Sequence, residues 1–157
     1  MSGINFLIKE DITQINVYKM PAETCFLSLL FSRFFLDKIE IDMISRPLTH
    51  TFNTQLSFTI NDCDLKDAVK ILTELKQQYP ELKFSICASN AKLSFVTDKS
   101  NKSTVAAIVL DKLCALNIEI LLISSGSNEL SLLVSNSAVL TAKYALEDID
   151  IDNNTDE

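Results

Sequence analysis

The stretch Ile39-Glu40-Ile41-Asp42-Met43-Ile44-Ser45 returns later in the chain as Ile118-Glu119-Ile120-Leu121-Leu122-Ile123-Ser124, identical at five of seven positions with an offset of 79 residues (118 − 39). Around each copy the surroundings match as well. A strand-like run follows in both cases, Leu56-Ser57-Phe58-Thr59-Ile60 and Leu130-Ser131-Leu132-Leu133-Val134, and then a helix-like run. A helix-like run also precedes each copy, and before it another strand, Ile15-Asn16-Val17-Tyr18 or Leu93-Ser94-Phe95-Val96. Self-similarity at a fixed period is the mark of a repeat, so the chain reads as two units of roughly 75 residues.

Outward from that core, residues 3–8 and 12–18 read as two strands with Asp11 in the turn between them, and Pro21 ends the second. Residues 24–38 read as a helix capped by Thr24, but Phe26, Leu27, Leu29, Leu30, Phe31, Phe34, Phe35 and Leu36 spread round more than one stripe of it. A helix of that kind is expected to be buried on two sides, against its own sheet and the other repeat or, compatibly with that, against another subunit, which predicts a homo-oligomer, in the simplest case a dimer. Residues 40–45 and 54–61 read as a strand pair joined by a loop with Pro47, Thr49, His50 and Asn53. Asp64 then caps a cleaner amphipathic helix, with Leu65, Ala68, Val69, Leu72, Leu75 and Tyr79 on one stripe and Pro80 as its stop. The second repeat gives strands at 82–87 and 92–96, a helix at 104–116, and a helix at 138–147 capped by Ser137. The units expected are 1–81 and 82–149, followed by an acidic tail at 150–157 that is solvated and partly disordered.

At 157 residues the chain holds 47% apolar and 22% charged residues, a globular composition, and its net charge of -7 argues against nucleic-acid binding. No apolar stretch is long enough to span a bilayer, and no targeting segment opens the chain, so a cytoplasmic location is expected. Cys25, Cys63, Cys87 and Cys114 contain no C-x-x-C pair and the lone histidine is His50, so no metal site or cofactor is expected and the cysteines read as small buried side chains. No acid/base pair or nucleophile appears at a catalytic spacing.

Strand-helix-strand-strand-helix-strand, twice over, is an α+β architecture: two ferredoxin-like βαββαβ units in tandem, with antiparallel sheets and helices on one face. The residues go further than the architecture. Gly3-Ile4, Ile12-Thr13-Gln14-Ile15, Phe31-Ser32 and Ile39-Glu40-Ile41-Asp42-Met43-Ile44 resemble the first ACT unit of aspartokinase regulatory regions. Val105-Ala106-Ala107, Asn117-Ile118 and the run Leu121-Leu122-Ile123-Ser124-Ser125-Gly126-Ser127-Asn128-Glu129 resemble the second. The likeness covers about 3–149. With only two glycines there is no phosphate-cradling segment, so the chain is expected to lack the kinase and to be similar to a separately made regulatory subunit. The resemblance also implies that the first strand is exchanged, residues 3–8 pairing with the second unit.

It implies, further, a feedback amino acid of the lysine or threonine class bound at an interface between units, with a partner amino-acid kinase or other biosynthetic enzyme as its target. A ligand carboxylate needs backbone N–H groups at a helix start, which the segments Ala22-Glu23-Thr24-Cys25 and Lys102-Ser103-Thr104 would supply. Asp42 is the expected ammonium partner, and Ser124, Ser125, Ser127, Asn128 and Glu129 form the matching edge of the second unit. Arg46 stands where the family has a polar glutamine, and Glu40 where it has asparagine. The family's Pro-Gly at the helix start is Thr24-Cys25 in one unit and Ser103-Thr104 in the other, and each added Cβ narrows the approach to the backbone. Two readings stay open: a non-catalytic amino-acid sensor that regulates a partner enzyme, or a degenerate ACT repeat that has lost its ligand and serves as an interaction module. An open helix-start cleft favours the first; a loop closed by its own side chains favours the second.

Overall fold

Six strands and four helices alternate in the order that the repeat requires. They are β1 (Asn5–Met20), α1 (Thr24–Leu36), β2 (Ile44–Ser45), β3 (Thr54–Asn61), α2 (Leu65–Gln78), β4 (Lys83–Val96), α3 (Lys102–Ala115), β5 (Leu122–Ser125), β6 (Glu129–Ser135) and α4 (Val139–Glu147), with short 3-10 turns at Asp62–Asp64 and Asn136–Ala138. The structure is a computed structural model and describes residues 5–47, 54–97 and 102–147; Thr49, His50, Asn53 and the acidic tail lie outside them. Contacts divide the chain into one compact unit of Asp11–Ser89 and another of Asn90–Glu157 together with Met1–Glu10.

In the Asp11–Ser89 unit, β1 pairs antiparallel with β3 from Ile12↔Asn61 to Val17↔Leu56, and β2 pairs with β3 through Ile44↔Phe58 and Ser45↔Ser57. The first half of β4 lies on the other side of β1. Strand alternation sends Ile15, Val17, Leu56, Phe58 and Ile60 to one side, where they meet Phe26, Leu30 and Phe34 of α1 and Ala68, Ile71, Leu72 and Leu75 of α2. Four-residue spacing brings the three α1 side chains onto one stripe, and each large apolar residue so buried stabilises by roughly 1.5–3 kcal/mol. Phe34 meets Phe58 edge to face at 5.4 Å, and Phe26 meets Tyr79 likewise at 5.0 Å. Arg33 and Glu74 form an ion pair between the two helices. The opposite side of the sheet is polar: Ser57 Oγ donates to Asn16 Oδ1 at 2.6 Å, and Ser85 Oγ lies within hydrogen-bond distance of both Asn16 and Tyr18.

The other unit repeats the plan. β4 pairs with β6 from Asn90↔Ser135 to Val96↔Glu129, β5 pairs with β6 from Leu122↔Leu133 to Ser125↔Leu130, and residues 5–10 of β1 lie beside β4. Val105, Val109 and Leu113 of α3 and Val139, Ala142 and Leu146 of α4 close over Leu93, Phe95, Leu132 and Val134. Phe6 stacks on Phe95 at 5.8 Å, and Phe6 and Ile8 pack against this core, so residues 5–8 complete the unit that the last third of the chain builds.

Several local expectations are corrected. The two strands expected at 3–8 and 12–18 are the single strand β1, and those at 82–87 and 92–96 are the single strand β4. Each contains one residue with left-handed backbone at the point where the chain passes between units, Asp11 (φ 58) and Ser89 (φ 60). Such a residue redirects the chain without ending the strand, a signal that turn propensity alone misreads as a loop. Asp62 secures the second of these points, accepting from Ser89 N–H at 3.2 Å and from the Thr13 hydroxyl.

The strand read at 40–45 is only Ile44–Ser45, although Asp42 N–H donates to Thr59 C=O at 3.1 Å. Glu23, not Thr24, is the N-cap of α1, and Ser137 lies inside the 3-10 turn, where its N–H donates to Ser135 Oγ. Asp64 does hold the cap position of α2, without a side-chain cap bond. All four cysteines are exposed, on the solvent side of helices, a turn and a strand, so the expectation of buried thiols is wrong.

Phe26, Leu30 and Phe34 are buried within the chain, which removes them from the argument for a dimer; Phe35 and Leu36, 80% and 71% exposed, are what remains of it. Lys38 (φ 57) and Asn117 (φ 53) end α1 and α3 in the left-handed conformation that glycine ordinarily supplies. Ile39 N–H reaches back to Phe34 C=O at 2.9 Å and Ile118 N–H to Leu113 C=O at 3.0 Å, so both repeats stop their first helix the same way.

Candidate functional site

Both helix starts named from the sequence stand at the surface. Ala22, Glu23, Thr24 and Cys25 are exposed, and Glu23 caps α1 with extended backbone but no side-chain hydrogen bond. A helix start of this kind offers backbone donors and the positive end of the helix dipole. Arg46, immediately after β2, reaches it: its Nη2 donates to Ala22 C=O at 3.1 Å. Asp42 is exposed and its backbone is tied to β3. Asp42 lies four residues before Arg46, with the two strand residues Ile44 and Ser45 between them.

In the other unit Lys102 begins α3 and its Nζ donates to Gly126 C=O, which joins the helix start to the tip of the β5–β6 hairpin. Ser103 is exposed and Thr104 half-buried. Ser124 and Ser125 pair with Ser131 and Leu130 across the hairpin, and Gly126 N–H donates to Glu129 C=O at 2.8 Å. Ser127 and Asn128 are exposed at the tip, where Asn128 C=O accepts from Thr97 N–H at 3.0 Å.

Glu129 turns its carboxylate to the sheet, accepting from Ser131 Oγ at 2.6 Å and facing Lys92 Nζ at 3.5 Å. The Ser131 hydrogen bond, joined by Ser94 and Lys92 and opposed by partial burial, holds the Glu129 carboxyl below its ordinary range. The expected ligand edge is thus partly committed to the chain's own hydrogen bonds. Among the described residues, no three His, Cys, Asp or Glu side chains gather as a metal set.

Sequence reasoning missed two hollows at the opposite ends of the same helices. One, of about 490 Å³, is lined by Phe35, Leu36, Lys38, Ile39 and Glu40; the other, of about 370 Å³, by Leu110, Cys114, Asn117, Ile118, Glu119 and Ile120. With the 79-residue offset they are the same place in the two repeats. The signal was present, because the quoted repeat begins at Ile39 and Ile118, directly after the left-handed Lys38 and Asn117.

The lowered pKa of Glu129 has a pH consequence. Its stabilisation is present above the ordinary carboxylate range and is lost as pH falls through the depressed folded-state value. Glu129→Gln is therefore expected to be less stable than the wild type at neutral pH, by under about 1 kcal/mol because the carboxylate is half-exposed, and equal to it in strong acid. Thermal denaturation across a pH series measures this, and a difference that widens on acidification contradicts it.

Comparison with known proteins agrees with the fold. No protein-family model matches the chain. It is 26% identical over 145 residues to an aspartokinase of Bacillus sp. strain MGA3, covering 92% of this chain and 35% of that protein, so it spans about a third of the curated relatives it matches. Among solved structures it resembles the regulatory subunit of aspartate kinase from Thermus thermophilus in its ligand-free form, with a TM-score of 0.81 at 17% identity, covering 92% of this chain and 97% of that one. It also resembles a structure of aspartokinase alpha and beta subunits, with a TM-score of 0.78 at 25% identity, covering 92% and 95%. Two ferredoxin-like units in tandem, the doubled Ile-Glu-Ile motif and these likenesses agree: over nearly its whole length the chain is similar to the paired ACT units of an aspartokinase regulatory region.

Proposed function

We propose that the protein is a non-catalytic regulatory protein that binds a free amino acid of the lysine or threonine class and modulates a partner enzyme, an amino-acid kinase or another biosynthetic enzyme, in the cytoplasm. The observation that supports this reading is the likeness itself: 26% identity over 145 residues to an aspartokinase, together with the fold of a solved aspartate kinase regulatory subunit. The sequence repeats, 1–81 and 82–149, are the proposed regulatory units. Among the described residues no helix is long and apolar enough to cross a membrane.

In this reading the effector's carboxylate meets the N–H groups at Ala22, Glu23, Thr24 and Cys25 or at Lys102, Ser103 and Thr104, and Asp42 takes an ammonium. The second reading, an interaction module without a ligand, draws on the bonds of Arg46 and Lys102 across the two helix starts.

The subunit contact is proposed for the exposed ends of the first helices and the outer strands. Among the described residues β2 and β5 each pair on one side only, and they expose Ile44 and Ile123, 46% and 51%, at equivalent positions of the repeat. Exposed apolar residues of this kind, Phe35 and Leu36 among them, are suited to contact with a second copy of the chain.

Calorimetric titration with lysine and then threonine tests the sensor. Asp42→Ala is expected to weaken binding by about ten- to hundredfold, the worth of a charge-assisted hydrogen bond, without unfolding the chain. Equal affinities dismiss Asp42, and no heat from the wild type with any amino acid moves the assignment to the interaction module. Light scattering tests the contact: wild type is expected to be a dimer and Phe35→Ser a monomer of nearly unchanged stability, whereas Phe34→Ala loses about 3–5 kcal/mol from the core. A monomeric wild type at micromolar concentration contradicts it.

A further inference from the structure

Two cations do the same job in the two repeats by opposite routes. In one, Arg46 comes from the strand side and donates to Ala22 C=O on the helix side; in the other, Lys102 comes from the helix side and donates to Gly126 C=O on the strand side. Donor and acceptor are 24 residues apart in both. Duplication alone does not explain this, because a copied residue would keep its position, and Arg46 and Lys102 are not equivalent under the 79-residue offset. The shared feature is the outcome: a carbonyl beside the helix start, with a positive charge of the chain's own upon it.

We propose that Arg46 and Lys102 are built-in competitors of the effector's ammonium group, each clipping its helix start to the neighbouring strand end until an amino acid displaces it. This rests on the sensor reading above and adds how the site is controlled. A rim carbonyl is the kind of acceptor that an α-ammonium needs, and a guanidinium or lysine ammonium supplies the same charge-assisted donor without a ligand. Each clip is at the surface and solvated, so it is weak enough to be exchanged. It sets a threshold, since a ligand's apparent affinity is scaled down by the fraction of time the helix start is unclipped. Arg46 rather than a neutral residue at its position, and Lys102 at the first position of α3, then have one explanation in place of two.

The test uses the full chain with Arg46→Met and Lys102→Met, and with Arg46→Lys, which keeps a cation. Without ligand, amide exchange at Phe26, bonded to Glu23 C=O at 3.1 Å, is read for Arg46→Met, and at Gly126, bonded to Glu129 C=O at 2.8 Å, for Lys102→Met. Each is expected to quicken about three- to tenfold, and Arg46→Lys to stay near wild type. Titration with lysine and threonine is expected to give about three- to tenfold tighter binding in the Met variants. Unchanged exchange overturns the clip while leaving the sensor reading in place. Quicker exchange with weaker binding overturns competition and makes the two cations ligand contacts. No heat from either protein with any amino acid, clip present or removed, overturns the competition together with the sensor reading, whatever the exchange shows.

Discussion

Phe6 stacked on Phe95 is the contact that the plan of this chain rests on. A unit of seventy or so residues buries a modest fraction of its surface and is marginal alone. Residues 90–147 build three strands and two helices with a core around Leu93, Phe95 and Leu132, and the missing strand comes from the other end of the sequence, residues 5–10. The N-terminal strand is therefore structural in the strictest sense: without Phe6 and Ile8 the core beside β4 is open on one side. The Asp11–Ser89 unit needs no such loan, because the first half of β4 completes it.

The repeat was legible because its words are apolar and periodic. Ile39 to Ser45 and its copy, the stripe of Ala68, Leu72 and Leu75, and the alternation in Leu56 to Ile60 each follow from burial on one face, and burial is written directly into residue type. Backbone conformation is not written so plainly. Asp11 and Ser89 hold left-handed geometry within continuous strands, and Ser89 is kept there by Asp62, 27 residues away, a tertiary hydrogen bond that no local pattern announces. Lys38 and Asn117 stop two helices where glycine would be expected, and only the matched carbonyl bonds behind them reveal the motif. The cysteines failed for a related reason: composition gives their usual burial, and only the helix and strand faces decide it.

The candidate site divides the same way. Sequence named Arg46 as standing where the family has a polar glutamine and Lys102 as part of the second helix start, and the structure brings each to a carbonyl of a neighbouring segment. Asp42, named as the ammonium partner, is exposed, with its backbone N–H bonded to Thr59 C=O. Glu129, read as ligand edge, is turned into the sheet by Ser131 and Lys92. What sequence could not supply was the direction of the side chains. That direction is also what keeps the sensor and the interaction module in competition, because a bond that closes a cleft is the same bond whether it waits for a ligand or replaces one.

The central claim is that the folded protein binds a free amino acid, and a thermal-shift screen of the intact chain against the twenty amino acids tests it most directly. A ligand specific to the folded state stabilises by about 2.7 kcal/mol at 100 times its dissociation constant. The account predicts a raised and concentration-dependent melting temperature with lysine or threonine, and with few or none of the others. An unmoved transition with all twenty, up to millimolar concentration, would contradict it.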